Sequence, residues 1–387
     1  MVPERCARPM RQMDFFREFP SKKSSIQFNH AAVCPLPARA GAALAAYAEN
    51  LTTRGALDWK DWIRKADEVR TLAARLIGAD APSSIAIVPN TSYGLHLVAS
   101  GFPFVRGDSV VTTASEFPAN LAPWAALRSR GVEVRRVPTR DGAFAAADVE
   151  AACDASTRLV SVSLVAFHTG FRAPAEKLAA FCRARGIVFG LDAIQAVGAQ
   201  RVDVAGWGVD FLSADGHKWM LGTEGAGILF TVPALRERLT PPAGWTNLDR
   251  ASPTDYRVPE TLRFRSDGVR FEPGALPTPG LYALAASLGL LLEIGLPEVE
   301  ARIARTLAVL VEGLPRLGFE PLLFGGPPRS GILAARPPAG KEARYYQKRL
   351  ADENVVVSAR EGFLRFSPHV GNDEAEAERV LTLLKRL

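Results

Sequence analysis

Between residues 84 and 230 the chain alternates short runs of β-branched residues with stretches of helical spacing. The runs predicted as strands are 85–88, 109–112, 132–137, 159–164, 187–191, 211–213 and 227–230. Helices are predicted from residue 90 onwards, at 118–130 and at 174–185. Such an alternation with short connections is typical of a mostly parallel sheet covered by helices on both faces. The pattern predicts an α/β fold.

The flanking segments predict a second, smaller unit. Helical apolar spacing covers 39–50 and 59–76 upstream, and 279–294 and 297–317 downstream. The tail then changes to predicted strands at 331–335, 355–357 and 363–366, with helices at 343–354 and 373–387. We expect an N-terminal arm at 1–28 and a large α/β domain at 29–280, whose N-terminal helices are shared with the small domain. A linker helix and a small C-terminal α+β domain then occupy 281–387.

The composition is that of a globular protein, with 48% hydrophobic and 23% charged residues. The net charge of +6 comes from scattered side chains, without the aromatic-interleaved basic stripe that grips nucleic acid. No apolar run reaches the ~20 residues of a membrane helix. None of the four cysteines forms a CxxC pair or lies at metal-ligand spacing from a histidine. We therefore expect a cytoplasmic protein with no metal site and with neither nucleic acid nor membrane as a partner.

The segment Ser213–Trp219 holds the strongest chemical signal, a lysine directly after a strand and a glycine-bearing turn. A lysine that forms a Schiff base must be partly desolvated, so that its amine is nucleophilic at neutral pH. The end of a strand at the mouth of an α/β crevice offers that setting. Lys218 is the candidate. Taken alone, a lysine in this position is usually only a surface residue.

A carboxylate at the end of an apolar strand, Asp192, is the second signal. An acid placed there is costly unless it is paired, and a protonated pyridine nitrogen is a suitable partner. Gln195 follows closely enough to hydrogen-bond the hydroxyl of the same ring. The alternative is an ordinary helix N-cap for Asp192.

Two further segments follow strands. Thr91 and Ser92 open a helix, where free N–H groups and hydroxyls form a phosphate cradle, although the same residues are common helix caps. Phe117 offers a ring that could stack on a planar cofactor, or it is an ordinary core residue. The chain contains neither a GxGxxG nor a Walker motif, which argues against a nucleotide cofactor.

Arg365 lies between apolar residues on a short predicted strand near the C-terminus. Its guanidinium needs an anionic partner there, and a substrate carboxylate would satisfy it with two parallel hydrogen bonds. A structural ion pair with another part of the chain is an equal alternative.

Taken together, these segments resemble the class V aminotransferase family of fold-type I pyridoxal-phosphate enzymes. The resemblance runs from about residue 29 to the C-terminus and rests on the runs NHAAVCPLP, EFPAN, DAIQ, GHKWMLG and RFSPH. It is nearest to the subgroup named for isopenicillin N epimerase, which is related to the cysteine desulfurases. It implies a seven-stranded-type, mostly parallel sheet in the large domain and a homodimer with the active site at the interface.

The resemblance also implies residue roles. The residues it assigns to the cofactor are Thr91, Ser92 and His217 at the phosphate, Phe117 against the ring, Asp192 at the pyridine nitrogen, Gln195 at the ring oxygen and Lys218 as the catalytic Schiff base. Thr278 is implied to reach the phosphate of the partner subunit. Arg365 is implied to hold the substrate carboxylate, with Asn29 and His30 as further substrate contacts. Asp215 stands where desulfurases often carry a serine, and we expect it to point away from the phosphate or to be paired.

The reaction is less sharply predicted than the cofactor. We expect transamination or β-elimination of the C–S lyase type on an amino acid, with epimerisation and a non-catalytic, cofactor-binding scaffold as alternatives. Residues 357–362 are expected to join two strands directly and contain no cysteine. Because desulfurases carry a nucleophilic cysteine on the corresponding loop, the chain is predicted not to be a Cys-dependent desulfurase.

Overall fold

The computed structural model of the chain describes residues 15–250 and 257–387. Its strands are β1 (Ile26–Gln27), β2 (Ile85–Val88), β3 (Ser109–Thr113), β4 (Glu133–Val137), β5 (Thr157–Ser163), β6 (Val188–Asp192), β7 (Phe211–Asp215), β8 (Gly227–Thr231), β9 (Glu320–Pro321), β10 (Leu333–Arg336), β11 (Val355–Val356), β12 (Ser358–Arg360) and β13 (Phe363–Phe366). Its α-helices are α1 (Phe15–Glu18), α2 (Ala38–Arg54), α3 (Trp59–Ile77), α4 (Thr91–Gly101), α5 (Ala122–Ala126), α6 (Ala146–Ala151), α7 (Ala175–Ala184), α8 (Val204–Trp207), α9 (Pro233–Arg238), α10 (Thr278–Ile294), α11 (Leu296–Gly313), α12 (Ala343–Ala351) and α13 (Glu374–Leu384).

Strands β2 to β8 form one seven-stranded sheet in the order β2-β8-β7-β6-β5-β3-β4. The neighbours from β7 to β4 are parallel, whereas β8 is antiparallel to both β7 and β2. Strands β6 and β7 are buried along their whole length, which explains why they read as continuous apolar runs. The predicted α/β class with a mostly parallel sheet is confirmed.

The close pairing of β6 and β7 depends on a glycine. Gly190 pairs with Phe211, and the Phe211 ring fills the space that a side chain at 190 would need. A Cβ placed on Gly190 would lie 1.9 Å from Cζ of that ring. The two strands that carry the site residues can therefore share one packed face only with glycine at this position.

The C-terminal part of the chain forms a second sheet, with strand order β12-β13-β10-β9 and antiparallel pairing throughout. Strand β1 pairs in parallel with β11, so residues 26 and 27 join this part of the molecule. Residues 1–14 of the predicted arm lie outside the described residues. The division of the chain at 28/29 and 280/281 stays a prediction.

Two local predictions are wrong. The helix predicted at 118–130 is divided into a 3-10 turn at Pro118–Asn120, then α5, then a second 3-10 turn at Leu127–Arg130. Two prolines explain the first break: Pro118 begins the first 3-10 turn and Pro123 lies in the first turn of α5, where it has no N–H to continue the hydrogen bonds of the preceding turn. The direct connection predicted at 357–362 instead holds β12 and a tight hairpin onto β13, with positive φ at Glu361 (47°) and Gly362 (87°).

Helix α10 is strongly apolar because the protein surrounds it, and Leu284, Leu288 and Leu291 have no exposed surface. Within the described ranges no single helix is long and apolar enough to cross a membrane. The pair Thr278–Ile294 and Leu296–Leu317, which is bent by 83°, is the one helix pair in residues 15–250 and 257–387 that meets the criteria of length and composition.

Candidate active site

Lys218 and Asp192 follow neighbouring parallel strands. Asp192 is the last residue of β6 and pairs with Ser213 of β7, whose chain leads through Gly216 to Lys218. The carboxyl ends of parallel strands meet at one edge of a sheet, where crevices form. The charges of the two side chains are close enough for each to influence the pKa of the other.

The Lys218 amine is largely buried, and both carboxylates and guanidinium groups influence it. Burial lowers its pKa, and the positive charges of Arg365 and Arg360 lower it further, against the opposing carboxylates of Asp192 and Asp215. Its Nζ lies 5.7 Å from the centroid of the Phe117 ring, which is 44% exposed. At neutral pH this amine is therefore neutral, and nucleophilic, more often than an ordinary lysine.

Asp192 is 3% exposed and accepts one hydrogen bond, from the N–H of Ile194 at 3.1 Å. Among the described residues its second oxygen accepts no hydrogen bond. Burial raises the pKa of Asp192, and the negative charge of Glu116 adds to that rise. A buried carboxylate with so little compensation fits a cationic partner such as a pyridinium nitrogen.

Gln195 is held on both sides of its amide. Its Oε1 accepts from the indole Nε1 of Trp219 at 2.8 Å, and its Nε2 donates to the carbonyl of Ala31 at 3.0 Å. These bonds orient the amide and leave one N–H of Nε2 available for a further acceptor. The motif that contains Lys218 thus orients Gln195 through Trp219.

Two buried histidines pack against Trp219. His369 donates from Nε2 to the Trp219 carbonyl at 3.0 Å, because its Nδ1 already accepts from the N–H of Val370 at 2.7 Å. His30 lies with its ring centroid 6.4 Å from that of Trp219. Its Nδ1 lies 3.1 Å from the carbonyl of Ser367, and burial lowers the pKa of His30 to about 4. The substrate contact predicted for His30 stays a prediction.

The start of α4 is packed onto the end of β7. The hydroxyl of Thr91 accepts from the N–H of Asp215 at 3.0 Å, and the carbonyl of Thr91 accepts from the Ser213 hydroxyl at 3.1 Å. Gly94 permits this approach, because a Cβ there would lie 2.2 Å from Oγ of Ser213. Ser92 is exposed at the same helix start. The free N–H groups of this turn fit a phosphate.

Asp215 and His217 lie beside this helix start. Asp215 accepts a hydrogen bond from the N–H of Gly216 at 2.7 Å, and its other oxygen lies 2.9 Å from Nδ1 of His217. That nitrogen is close to the carboxylate but is not aligned for a hydrogen bond, and among the described residues it is buried without a hydrogen-bond partner. A phosphate oxygen would supply the missing partner.

Glu116 belongs to the site and was missed by the sequence analysis. It is buried and accepts hydrogen bonds from Thr113 (2.8 Å), Asn120 (2.9 Å) and the Ser163 N–H (3.0 Å), and also from the Ser163 hydroxyl. Burial raises the pKa of Glu116 despite these donors. Because Ser163 pairs with Asp192 across β5 and β6, Glu116 braces the strand end that carries Asp192.

Arg365 is 1% exposed, in the centre of the small sheet. Its guanidinium donates to the Phe167 carbonyl and, at 3.4 and 3.3 Å, to the oxygens of Asn29 and Ser358, while Nε has no partner in the described part of the chain. In residues 15–250 and 257–387 no carboxylate oxygen lies within 4 Å of it. The alternative of a structural ion pair is therefore not realised among the described residues. Burial lowers the pKa of Arg365, and a bound anion would reverse that effect.

Two other predicted residues lie in different settings. The side chain of Asn29 faces Arg365 and also accepts a hydrogen bond from Ser358. Thr278 begins α10, and its hydroxyl lies 3.4 Å from the carbonyl of Leu276. The predicted contact of Thr278 with a partner subunit stays a prediction.

The sequence model of the family described as "Aminotransferase class-V" matches residues 28–364. The chain belongs to this family. The predicted family is thus confirmed, and pyridoxal phosphate is its cofactor. Lys218, Asp192 and the helix start at Thr91 offer an amine, a carboxylate and free N–H groups that fit this cofactor, and their individual roles stay predictions.

Relatives carry names of two kinds. The chain is 30% identical over 336 residues to the uncharacterized aminotransferase YcbU of Bacillus subtilis, covering 87% of each chain. It is 32% identical over 298 residues to a probable cysteine desulfurase of Methanothermobacter thermautotrophicus, covering 75% of this chain and 72% of the relative. These similarities confirm the prediction of a pyridoxal-phosphate enzyme that acts on amino acids.

Solved structures share the fold. A cysteine desulfurase from Thermococcus onnurineus has a TM-score of 0.85 and 25% identity, over 98% of this chain and 99% of that chain. The cystine C–S lyase C-DES, bound to cysteine persulfide, has a TM-score of 0.88 over 95% of this chain and 99% of that chain. At 23% identity the second similarity concerns the fold alone.

The prediction that this chain is not a Cys-dependent desulfurase is wrong. Relatives named cysteine desulfurase align over most of the chain at 31 to 32% identity. The prediction relied on residues 357–362 alone, because this one loop contains no cysteine. A reaction class depends on the whole site, which one loop does not represent.

Proposed function

We propose that this chain removes sulfur from a cysteine-type amino acid by breaking the bond between Cβ and sulfur. The observation that carries the amino-acid part is Arg365, a buried guanidinium with no carboxylate partner among the described residues and with an electrostatic influence on Lys218. The relatives named cysteine desulfurase support the choice of sulfur as the leaving group.

Each site residue has a role that follows from its chemistry. Thr91, Ser92 and His217 hold the cofactor phosphate, Asp192 pairs its ring nitrogen, and Gln195 binds the ring oxygen. Phe117 covers one ring face and so limits the access of water to the reacting atoms. Arg365 binds the substrate carboxylate, with Asn29 and His30 as further contacts.

Pyridoxal phosphate, when bound, supplies an electron sink for the pair released at the α carbon of the substrate. Lys218 is the general base that takes the α proton, because its lowered pKa leaves it partly neutral near physiological pH. Once protonated, Lys218 donates that proton to the departing sulfur. Asp192, kept ionised by a cationic partner, maintains the positive charge that makes the sink effective.

The test is a product analysis with L-cysteine and L-cystine on the purified holoenzyme. We expect elimination to give pyruvate and ammonia, with sulfide from L-cysteine or cysteine persulfide from L-cystine. With an added thiol as sulfur acceptor, desulfuration of L-cysteine would instead give alanine and a persulfide on that thiol. The two organic products distinguish the two modes of sulfur removal. Turnover of amino acids without sulfur, with none from either sulfur substrate, would refute the proposal.

Transamination is the second candidate, and the name of the Bacillus subtilis relative favours it. It would consume an amino acid and form a 2-oxo acid, leaving the amino group on the cofactor. A stoichiometric 2-oxo acid product that becomes catalytic only when a second 2-oxo acid is added would identify this reaction.

We also propose that the chain works as a homodimer in the cytoplasm and that Thr278 reaches the cofactor phosphate of the partner subunit. Mixing Lys218→Ala and Thr278→Ala chains tests the shared site. In a mixed dimer one site combines an intact Lys218 with the intact Thr278 of the other chain, so we expect activity to return above that of either variant. No recovery after subunit exchange would contradict this arrangement.

A further inference from the structure

The histidine of the RFSPH run, His369, has no part in the reaction described above, yet it contacts the segment that carries Lys218. It has no exposed surface and lies four residues after Arg365. Its Nε2 is 3.0 Å from the carbonyl oxygen of Trp219, the residue that follows Lys218. The segment after β13 therefore reaches the turn that follows β7.

The direction of this hydrogen bond is fixed by the other ring nitrogen of His369. Its Nδ1 lies 2.7 Å from the backbone N–H of Val370, which can only donate, so Nδ1 accepts and the proton of the neutral ring is on Nε2. Burial lowers the pKa of His369 well below its ordinary value, and the nearby ring of His30 lowers it further. The ring is therefore neutral and donates to the Trp219 carbonyl.

The turn at 216–222 holds a backbone conformation that leucine rarely adopts. Leu221 has a φ of 59°, in the left-handed region, which is unfavourable for a residue with a side chain. Its N–H donates to the Lys218 carbonyl at 3.2 Å, and the N–H of Gly222 donates to the Gly216 carbonyl at 2.8 Å. A strained turn keeps such a shape only where the surrounding structure holds it.

Side chains from outside the turn bind its carbonyl groups. Ser287 of α10 donates to the Leu221 carbonyl at 2.7 Å, and His369 donates to that of Trp219. Gly198 encloses the Trp219 oxygen from another direction, since a Cβ at 198 would lie 2.1 Å from it. Without the His369 donor this enclosed carbonyl would lose its hydrogen bond, and the turn would relax to recover a partner.

We propose that His369 is a positioning residue for Lys218. By holding the Trp219 carbonyl, its ring fixes the shape of the turn and so the position of the Lys218 amine relative to the aldehyde of the cofactor. The segment after β13 then serves the site twice, through Arg365 for the substrate and through His369 for the lysine. This inference rests on the proposed role of Lys218 and is independent of the leaving group.

Two amide substitutions separate this hydrogen bond from the rest of the side chain. The amide nitrogen of His369→Gln reaches the place of Nε2 and keeps the donor to Trp219. His369→Asn reaches only the place of Nδ1, so it can still accept from the Val370 N–H but loses the bond to Trp219. His369→Leu loses the same bond and fills the buried space, so it takes over if the asparagine variant does not fold. Val380→Ala, which truncates a buried residue of α13, is the matched control for lost stability.

The assay is the rate at which apoenzyme attaches pyridoxal phosphate covalently, measured by visible absorbance. A displacement of about 1 Å at a reacting group lowers a rate by up to about 100-fold, so His369→Asn should attach the cofactor at least about tenfold more slowly than wild type. His369→Gln should attach it at nearly the wild-type rate. Val380→Ala should lower the Tm without slowing attachment. The affinity for pyridoxamine phosphate, which has no aldehyde, should stay unchanged in His369→Asn, because Thr91, Asp192 and Gln195 lie on other segments.

Four results would overturn the proposal: attachment at the wild-type rate in His369→Asn, equally slow attachment in His369→Gln, equally slow attachment in Val380→Ala, or a matching loss of pyridoxamine phosphate affinity in His369→Asn. The third result would assign the effect to lost stability, and the fourth to cofactor binding. Failure of the Lys218 assignment would appear separately, as covalent attachment that persists in Lys218→Ala.

Discussion

Replacing Arg365 by alanine should weaken the use of an amino-acid substrate far more than the binding of the cofactor. The guanidinium is 1% exposed and has only neutral oxygen partners among the described residues, with Nε unpaired there. A substrate carboxylate would form two charge-assisted hydrogen bonds with it, each contributing about 1.5 kcal/mol or more. The sum of about 3 kcal/mol corresponds to a fall of roughly 150-fold in kcat/KM.

The assay compares an amino-acid substrate with its decarboxylated analogue, such as L-cysteine with cysteamine. Wild type should discriminate strongly between the acid and the amine. Arg365→Ala should not, because the group that binds the carboxylate has been removed. Arg360→Ala is the matched control, since Arg360 lies on the neighbouring strand but is exposed. Its kcat/KM should change by less than about threefold.

Two outcomes would refute this reasoning. A variant that loses the cofactor would show that Arg365 supports the cofactor site instead of the substrate. A variant that discriminates between acid and amine as strongly as wild type would show that another group binds the carboxylate. Cofactor content, measured by visible absorbance, separates the first outcome from a true loss of substrate binding.

Further predictions concern the cofactor site and the sheet beneath it. Lys218→Ala should abolish turnover and the covalent attachment of the cofactor. In wild-type apoenzyme the rate of covalent cofactor uptake should rise with pH but level off below about pH 10.4, the pKa of an ordinary lysine, because burial lowers the pKa of Lys218. An uptake rate, measured by stopped-flow absorbance, that still rises tenfold per pH unit near pH 10 would contradict this expectation. Burial raises the pKa of Asp192 above its unfolded value of about 4, so its contribution to apoenzyme stability is fully present below that pH and is lost as pH rises through the folded pKa. The Tm of the wild-type apoenzyme should therefore fall relative to that of Asp192→Asn over this range, and parallel Tm curves would exclude the effect. Gly190→Ala should lower the free energy of unfolding by about 1–3 kcal/mol, because its Cβ would lie 1.9 Å from the Phe211 ring. Gly289→Ala, in α10 where an added Cβ would meet no atom within 4 Å among the described residues, is the control and should be neutral or slightly stabilising in the same thermal melts.

Much of the cofactor site is local in sequence and was predictable for that reason. Asp192 and Lys218 each follow a strand, and the ends of parallel strands meet at one sheet edge whatever the details of packing. Thr91 begins a helix directly after β2, and the first N–H groups of any helix have no partner within the helix. Glu116 carried a weaker signal, an acid beside Phe117 in the same motif. Ser163, which donates a hydrogen bond to Glu116, is 47 residues away, so the burial of Glu116 was not visible in the linear pattern.

The α/β class, the family and the cofactor follow from the sequence, because they depend on periodicity and on short runs of neighbouring residues. Two other features required the folded chain: Arg365 has no carboxylate partner among the described residues, and Trp219 occupies one side of the Gln195 amide. Each of these facts depends on which distant segments approach a side chain. Burial and hydrogen bonding are properties of that approach, and no single stretch of the chain contains them.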